Sequence, residues 1–228
     1  MRMFVITLIG VGHVFDIKQK VKDIIIEKKP DAVCLELDIA RYNALLSNRR
    51  RGAGGSIIYK ILSKFQQKVA DEYGITVGSE MLGAIEGAKN VNARIYSIDM
   101  DSTFVIAKVW NSMSMGERVK FLLGAFQAFF VRKEQVEREV KRFEENSEDY
   151  IDALGKEFPT LKRLLLDDRN TYMANALREL NKLHQNIIAV VGDGHIDGLK
   201  KSFQDINIEI IRLKELRGAQ FNVEKPIE

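Results

Sequence analysis

Four runs rich in β-branched and apolar residues, FVITLIG (4–10), DAVCLEL (31–37), ARIYSID (93–99) and NIIAVVG (186–192), read as strands buried in a sheet, and INIEIIRL (206–213) is a weaker fifth. Between the first two, FDIKQKVKDIIIEKKPD has helical spacing, with Asp16 placed as N-cap and Pro30 as a stop. The opening unit is therefore β-α-β, which predicts a parallel pair joined by a right-handed crossover. From Thr103 to Gln185 only amphipathic and charged helical pattern appears, and RKEQVEREVKRFEEN reads as a solvated helix. The expected architecture is α/β: a mostly parallel central sheet of four or five strands with flanking helices and a long helical insertion, about 103–185, before the penultimate strand.

At 228 residues, 46% hydrophobic and 29% charged, the chain has the size and composition of a single α/β domain spanning 1–228. Its formal charge of +3 names no partner, and nucleic acid is not expected. Cys34, the one cysteine, lies in an apolar run and fits a reducing, cytoplasmic setting. MRMFVITLIGVGH has a short apolar part and no cleavage site after it, so it does not read as a signal peptide. The longest other apolar stretch, FLLGAFQAFFV (121–131), has 11 residues and contains Gln127, against the ~20 a membrane-spanning helix needs. It reads as core or as a subunit contact, so a homo-oligomer formed through the insertion is one expectation.

Ligands of an open parallel sheet bind beyond the carboxyl ends of its strands. His13 follows the first run, Glu36 and Asp38 end the second, Asp99 and Asp101 end the third, and His195 follows the fourth. Every strong strand thus delivers a metal-ligand or acid–base side chain to one rim. Both histidines close a Gly-x-Gly-His, GVGH (10–13) and GDGH (192–195), whose glycines are expected to turn the backbone sharply and to tolerate positive φ. A dinucleotide-binding loop fails at its third glycine, which is Phe15 in GVGHVF and Asp197 in GDGHID.

Two helical segments place charge where core is expected. After Pro159 the apolar stripe Leu161, Leu164, Leu165 resumes at Tyr172, Met173, Ala176, Leu177 and Leu180, and Asp168 and Arg169 fill the gap. Burying an unpaired charge is costly, so these two either neutralise each other or meet a polar cleft. In GSEMLGAIEGA (78–88), Ser79 is placed as a helix cap, and Gly83, Ala84 and Gly87 form a face of small residues that brings Glu80 inward. NRRRGAGG (48–55) reads as a solvated loop and His184 as a surface residue.

Taken in order, GVGHVF, ELDIARYNAL, GSEMLGAIEGA, SIDMD, DDRNTYMA and VVGDGHIDGL resemble the motif series of the TraB family. That family includes bacterial pheromone-shutdown proteins and is related to the Tiki metalloproteases, which use two Gly-x-x-His motifs, and distantly to erythromycin esterase. The similarity runs from about Phe4 to Leu199. It implies a divalent-metal-dependent peptidase, with manganese or cobalt as the ion, and it points to His13, Glu36, Arg41, Glu80, Arg169 and His195. The chain departs from the series at Asp99-Met100-Asp101, where the family usually reads Asp-Arg-Asp, and at Lys108, which stands near an expected arginine. Many members continue into a C-terminal membrane region, so the resemblance leaves room for this chain being the soluble part of a longer, membrane-associated protein.

The expected chemistry is metal-assisted hydrolysis of a peptide. His13, His195 and Glu36 would hold one divalent ion that activates water, Glu80 would act as general base and acid, and Arg169 with Arg41 would stabilise an oxyanion or grip a substrate carboxylate. These ligand types also suit zinc or ferrous iron. The alternative is a regulatory protein that sequesters a peptide or small anion in the same cleft without cleaving it.

Overall fold

The structure, a computed structural model, describes residues 5–12, 16–47, 78–128, 135, 138–139, 142 and 146–218. His13 and NRRRGAGG lie outside the described residues, as does most of RKEQVEREVKRFEEN. In chain order the elements are β1 (Val5–Val11), α1 (Lys18–Lys28), β2 (Ala32–Leu35), α2 (Ile39–Leu46), α3 (Ser79–Asn90) and β3 (Arg94–Ser97). The insertion follows as α4 (Ser102–Ser112), α5 (Met115–Ala128), α6 (Ser147–Glu157), α7 (Pro159–Lys162), a π-helical turn (Arg163–Asp167) and α8 (Asp168–Asn181). Then come β4 (Asn186–Gly192), a 3-10 turn (Asp193–His195), α9 (Ile196–Ser202), β5 (Ile208–Ile211) and α10 (Leu213–Gly218).

All five expected strands form, and they make one all-parallel sheet in the order β3-β2-β4-β1-β5. The predicted pairing of the first two strands is not made, because β4 lies between them, bonded to β1 on one side and β2 on the other. The physical reason is burial. Residues 187–191 of β4 are all buried and apolar, which suits a strand covered on both faces and both edges. β3 and β5 include exposed Arg94 and Glu209 and take the edges, where a charged side chain can reach water.

Period-two alternation sorts the strand residues between two helical layers. Ile9, Val11, Val33, Leu35, Ile188 and Val190 pack under α1 and α3, against Val21, Ile25, Met81, Ala84, Ile85 and Ala88. Ile6, Leu8, Cys34, Ile187, Ala189 and Val191 pack under α8 and α9, against Met173, Ala174, Leu177, Ile196 and Leu199. Burial pushes the Cys34 thiol up. Val105, Val109, Met113 and Leu164 form a smaller core of the insertion's own.

Several local expectations are corrected. The residue at the N-cap of α1 is Ile17, drawn into the core, and not Asp16; the helix ends at left-handed Lys29 (φ 44°), just before Pro30. α3 is capped by Gly78 (φ 83°) and not by Ser79, because a left-handed backbone favours glycine. The small face of that helix does press on its neighbour: a Cβ on Gly83 would stand 2.3 Å from the carbonyl oxygen of Lys18. His184 is buried, its Nε2 2.9 Å from the Tyr96 hydroxyl, because the chain turns inward there to feed β4. Within FLLGAFQAFFV, Leu122 and Leu123 of α5 are exposed. No helix among the described residues is long and apolar enough to cross a membrane.

Candidate active site

The central position of β4 decides what meets at the carboxyl edge. Val11 at the end of β1 is the register partner of Gly192, and Leu35 at the end of β2 is the partner of Val190. Chain leaving β1 toward His13, chain leaving β2 as Glu36, and the turn that carries His195 therefore start from three adjacent strands. The Glu36 backbone extends the ladder by donating to the Val190 carbonyl at 3.1 Å, and its side chain follows Ala32 and Cys34 onto the α8 side. There Glu36 Oε2 accepts the Gly192 N–H, and Oε1 lies 3.2 Å from His195 Nε2.

Arg169 reaches the same carboxylate. Its Nη2 donates to Glu36 Oε1 and, at 2.8 Å, to Asp99 Oδ2; Nε donates to Asp99 Oδ1 at 2.9 Å and Nη1 to the Leu165 carbonyl at 3.1 Å. Asp168 and Arg169 do not neutralise each other: Asp168 turns away to Lys108, at 3.3 Å, and Arg169 meets the carboxylates of Glu36 and Asp99. The π-helical turn before α8 resets the phase of the stripe. Arg169 and Asn170 then stand one turn above Met173 and Ala174, on the core-facing side but past the edge of the sheet, where polar partners replace apolar ones. Burial would raise the Glu36 pKa, but His195, the Arg169 guanidinium and the Gly192 N–H together hold it well below the usual carboxylate range. Arg169 is pushed up against its own desolvation by Glu36 and Asp99.

Arg41 joins from α2. Its Nε donates to Asp38 Oδ2 at 3.1 Å, and its Nη2 donates to the Glu36 carbonyl at 3.1 Å and to Asp99 Oδ2. Asp38 caps α2 through the Arg41 N–H and also takes the Ser102 N–H; desolvation opposes these bonds, and they lower its pKa nonetheless. Asp99 is thus the junction of two guanidiniums, whereas Asp101 caps α4 through the Phe104 N–H. Asp99-Met100-Asp101 therefore has a structural role here even with methionine at its centre. Of the two arginines, Arg41 is the more exposed, at 29% of its side chain against 14% for Arg169. Arg169 is committed to the carboxylates; Arg41 keeps more of its side chain in solvent. Glu80 is fully buried, with 0% exposed, in the first turn of α3. It lies one turn from Gly83, whose backbone abuts Lys18 at the start of α1.

The first glycine of each Gly-x-Gly-His motif, Gly10 and Gly192, acts by absence of bulk and not through positive φ. Gly192 has φ −56°, and among the described glycines only Gly78 has positive φ. A Cβ on Gly10 would stand 2.1 Å from Asp193 Oδ1, and one on Gly192 would stand 3.2 Å from Glu36 Oε2. The first motif thus makes room for the second. Asp193 Oδ1 accepts the Leu213 N–H at 2.9 Å and Oδ2 accepts from Arg212 at 2.8 Å. Arg212 also donates to Asp197 and to Ser147 of the insertion, so the turn bearing His195 is held from both flanks.

Sequence reading missed Asn170 and Arg212. Asn170 Oδ1 lies 2.7 Å from His195 Nδ1, on the far side of the ring from Glu36. The available signal was its place three residues before Met173 on a buried stripe. Arg212 had none, since an arginine after an edge strand is ordinarily solvated.

An imidazole nitrogen and a carboxylate oxygen 3.2 Å apart suit a divalent cation in type and in spacing. Among the described residues no group of three His, Cys, Asp or Glu is placed to hold a metal; the third expected donor, His13, lies outside them. Two of the three expected ligands, Glu36 and His195, are thus brought together.

The sequence model of the TraB/PrgY/gumN family matches residues 3–206. Uncharacterized protein MJ1365 of Methanocaldococcus jannaschii is 30% identical over 236 aligned positions, covering 96% of this chain and 59% of that protein. TraB domain-containing proteins of Bos taurus and Homo sapiens are each 23% identical over 243 positions, covering 90% of this chain and 64% of theirs. The chain therefore spans about three-fifths of the length of these relatives. A match running from the first strand to the chain beyond α9, over both Gly-x-Gly-His motifs and the helix that carries Arg169, makes this chain a member of the TraB/PrgY/gumN family.

Proposed function

We propose that this protein is a metal-assisted hydrolase acting on peptides, with its centre at the carboxyl ends of β1, β2 and β4. The observation that carries the reading is the approach of His195 Nε2 to Glu36 Oε1, an imidazole and an ionised carboxylate from adjacent strands, under the Arg169 guanidinium. His195, Glu36 and His13 would hold manganese or cobalt, and a divalent ion bound there supplies Lewis acidity. Glu36 stays ionised over the whole neutral range because its neighbours hold its proton affinity down. Arg169 fixes the orientation of Glu36 by gripping Oε1 and Asp99 together. Arg41, nearer to solvent, meets the substrate's carboxylate or carbonyl oxygen. Glu80, buried in the first turn of α3, is the proposed proton carrier.

The test measures bound metal and peptide turnover in parallel for the parent protein, His13→Ala and His195→Ala. Loss of both properties in both variants is expected, and variants that keep parental metal content and turnover refute the assignment. Mass spectrometry of peptides incubated with protein and Mn²⁺ decides between cleavage and sequestration. Peptides that stay intact while raising the protein's melting temperature would establish the binding role instead.

A further inference from the structure

We propose that Asn170 is a positioning residue that fixes His195 in one tautomer, with hydrogen on Nδ1, so that Nε2 is presented toward Glu36. Four observations converge. Asn170 Oδ1, an acceptor only, lies 2.7 Å from His195 Nδ1, so a hydrogen bond between them needs the hydrogen on Nδ1. Both side chains are buried, His195 at 3% exposed and Asn170 at 8%, so water does not compete for the ring. Space has been made for the amide: a Cβ on Gly198 would stand 2.0 Å from Asn170 Nδ2, so the glycine that closes VVGDGHIDG is where the Asn170 side chain rests. Finally, Asn170 adjoins Arg169 on α8, so one helix turn orients Glu36 through Arg169 and His195 through Asn170.

The electrostatic consequence is specific. With hydrogen on Nδ1 a neutral ring turns a lone pair at Glu36 Oε1 across 3.2 Å, and two acceptors at that distance are stable only with a proton or a cation between them. The opposite tautomer would let Nε2–H donate to Glu36, satisfying the pair and closing the site to any cation. Asn170 forbids that closure, since it would then set a carbonyl oxygen against a bare Nδ1. Partners on the far side of a ligating imidazole commonly act in this way, and losing one costs roughly 10- to 100-fold in metal affinity. That last consequence rests on the proposed metal site; the tautomer does not.

The experiment is long-range ¹H–¹⁵N correlation spectroscopy of metal-free protein with labelled histidine, at a pH where the ring is neutral. His195→Gln assigns its signal among the three histidines. The parent is expected to show hydrogen on Nδ1. Asn170→Leu, which fills the same space without an acceptor, is expected to shift toward hydrogen on Nε2, and Asn170→Asp, which keeps an acceptor, to restore the parental pattern. Mn²⁺ binding followed by electron paramagnetic resonance should weaken about 10- to 100-fold in Asn170→Leu and recover in Asn170→Asp. An unchanged tautomer in Asn170→Leu, or hydrogen on Nε2 in the parent, overturns the proposal. The parental tautomer with no Mn²⁺ binding would leave it standing and sink the metal site instead.

Discussion

Replacing Gly10 with alanine is the sharpest way to ask whether the two Gly-x-Gly-His motifs interlock. The new methyl carbon would stand 2.1 Å from Asp193 Oδ1, 3.0 Å from its Cγ and 3.2 Å from Ile196 Cγ1. A carboxylate end can swing aside, but this one is held by the Leu213 N–H at 2.9 Å and Arg212 at 2.8 Å. Moving it strands a buried N–H, at about 1–3 kcal/mol, and crowding the strand against α9 adds about 1–3 kcal/mol. The expected cost is about 3–4 kcal/mol. At about 2–4 °C per kcal/mol for a chain of this size, the melting temperature falls by roughly 6–16 °C. Urea unfolding of Gly10→Ala, Asp193→Ala and the double variant is the assay. Once Asp193 is alanine its carboxylate is gone and only the Ile196 contact remains, so the second substitution should then cost at least about 1 kcal/mol less than in the parent. Additive costs in the double variant, or a loss below about 1 kcal/mol in Gly10→Ala alone, would refute the interlock.

Arg169→Met should cost about 3 kcal/mol at neutral pH, the low end for breaking a buried pair, because Arg41 still serves Asp99. Glu36 is depressed in the folded state, so its contribution is present above its unfolded value and lost as pH falls through the folded one. Removing Arg169 raises the folded value, so the stability difference between neutral and acid pH should shrink, as urea titrations at several pH values will show. Gly124→Ala, in open space on α5, should stabilise by up to about 1 kcal/mol, whereas Gly83→Ala, which meets the Lys18 carbonyl at 2.3 Å, should destabilise despite the same gain in helix propensity. Calorimetry showing the same sign for both would contradict the described packing. Cys34, fully buried with its thiol pKa raised, should react with a disulfide reagent only as fast as the protein unfolds; rapid labelling of native protein would refute its burial.

The strands were legible because five dense apolar runs can be buried in few other ways, and their ends fall within a few residues of expectation. Their order was not, since nothing in DAVCLEL or NIIAVVG encodes which neighbour it takes; that is set by how completely each strand can be covered. Glu36, His195 and Arg169 were visible as polar residues at strand ends or on a core-facing stripe, and they converge. Arg41 came only from the family resemblance, and its place beside Asp99 was not legible. Asn170 lies on a buried stripe, but its role is not legible until the partner ring is in place, and His184 deceived for the same reason, because its burial depends on Tyr96 of β3. The glycines were noticed for the wrong property: sequence shows that a Cβ is missing, and only packing shows which atom occupies the space.

The middle seat of β4 also fixes when the molecule can be finished. β1 ends at Val11 and its first neighbour begins at Asn186, so a nascent N-terminal strand emerges with no partner on either side. At ~5–20 residues per second, synthesis of the intervening segment takes roughly 10–35 s. β2 and β3 can join early, but the hydrophobic ribbon of β1 must wait through that interval for both of its neighbours. A ribosome stalled before the penultimate strand would hold a chain in which neither histidine motif had yet found the other.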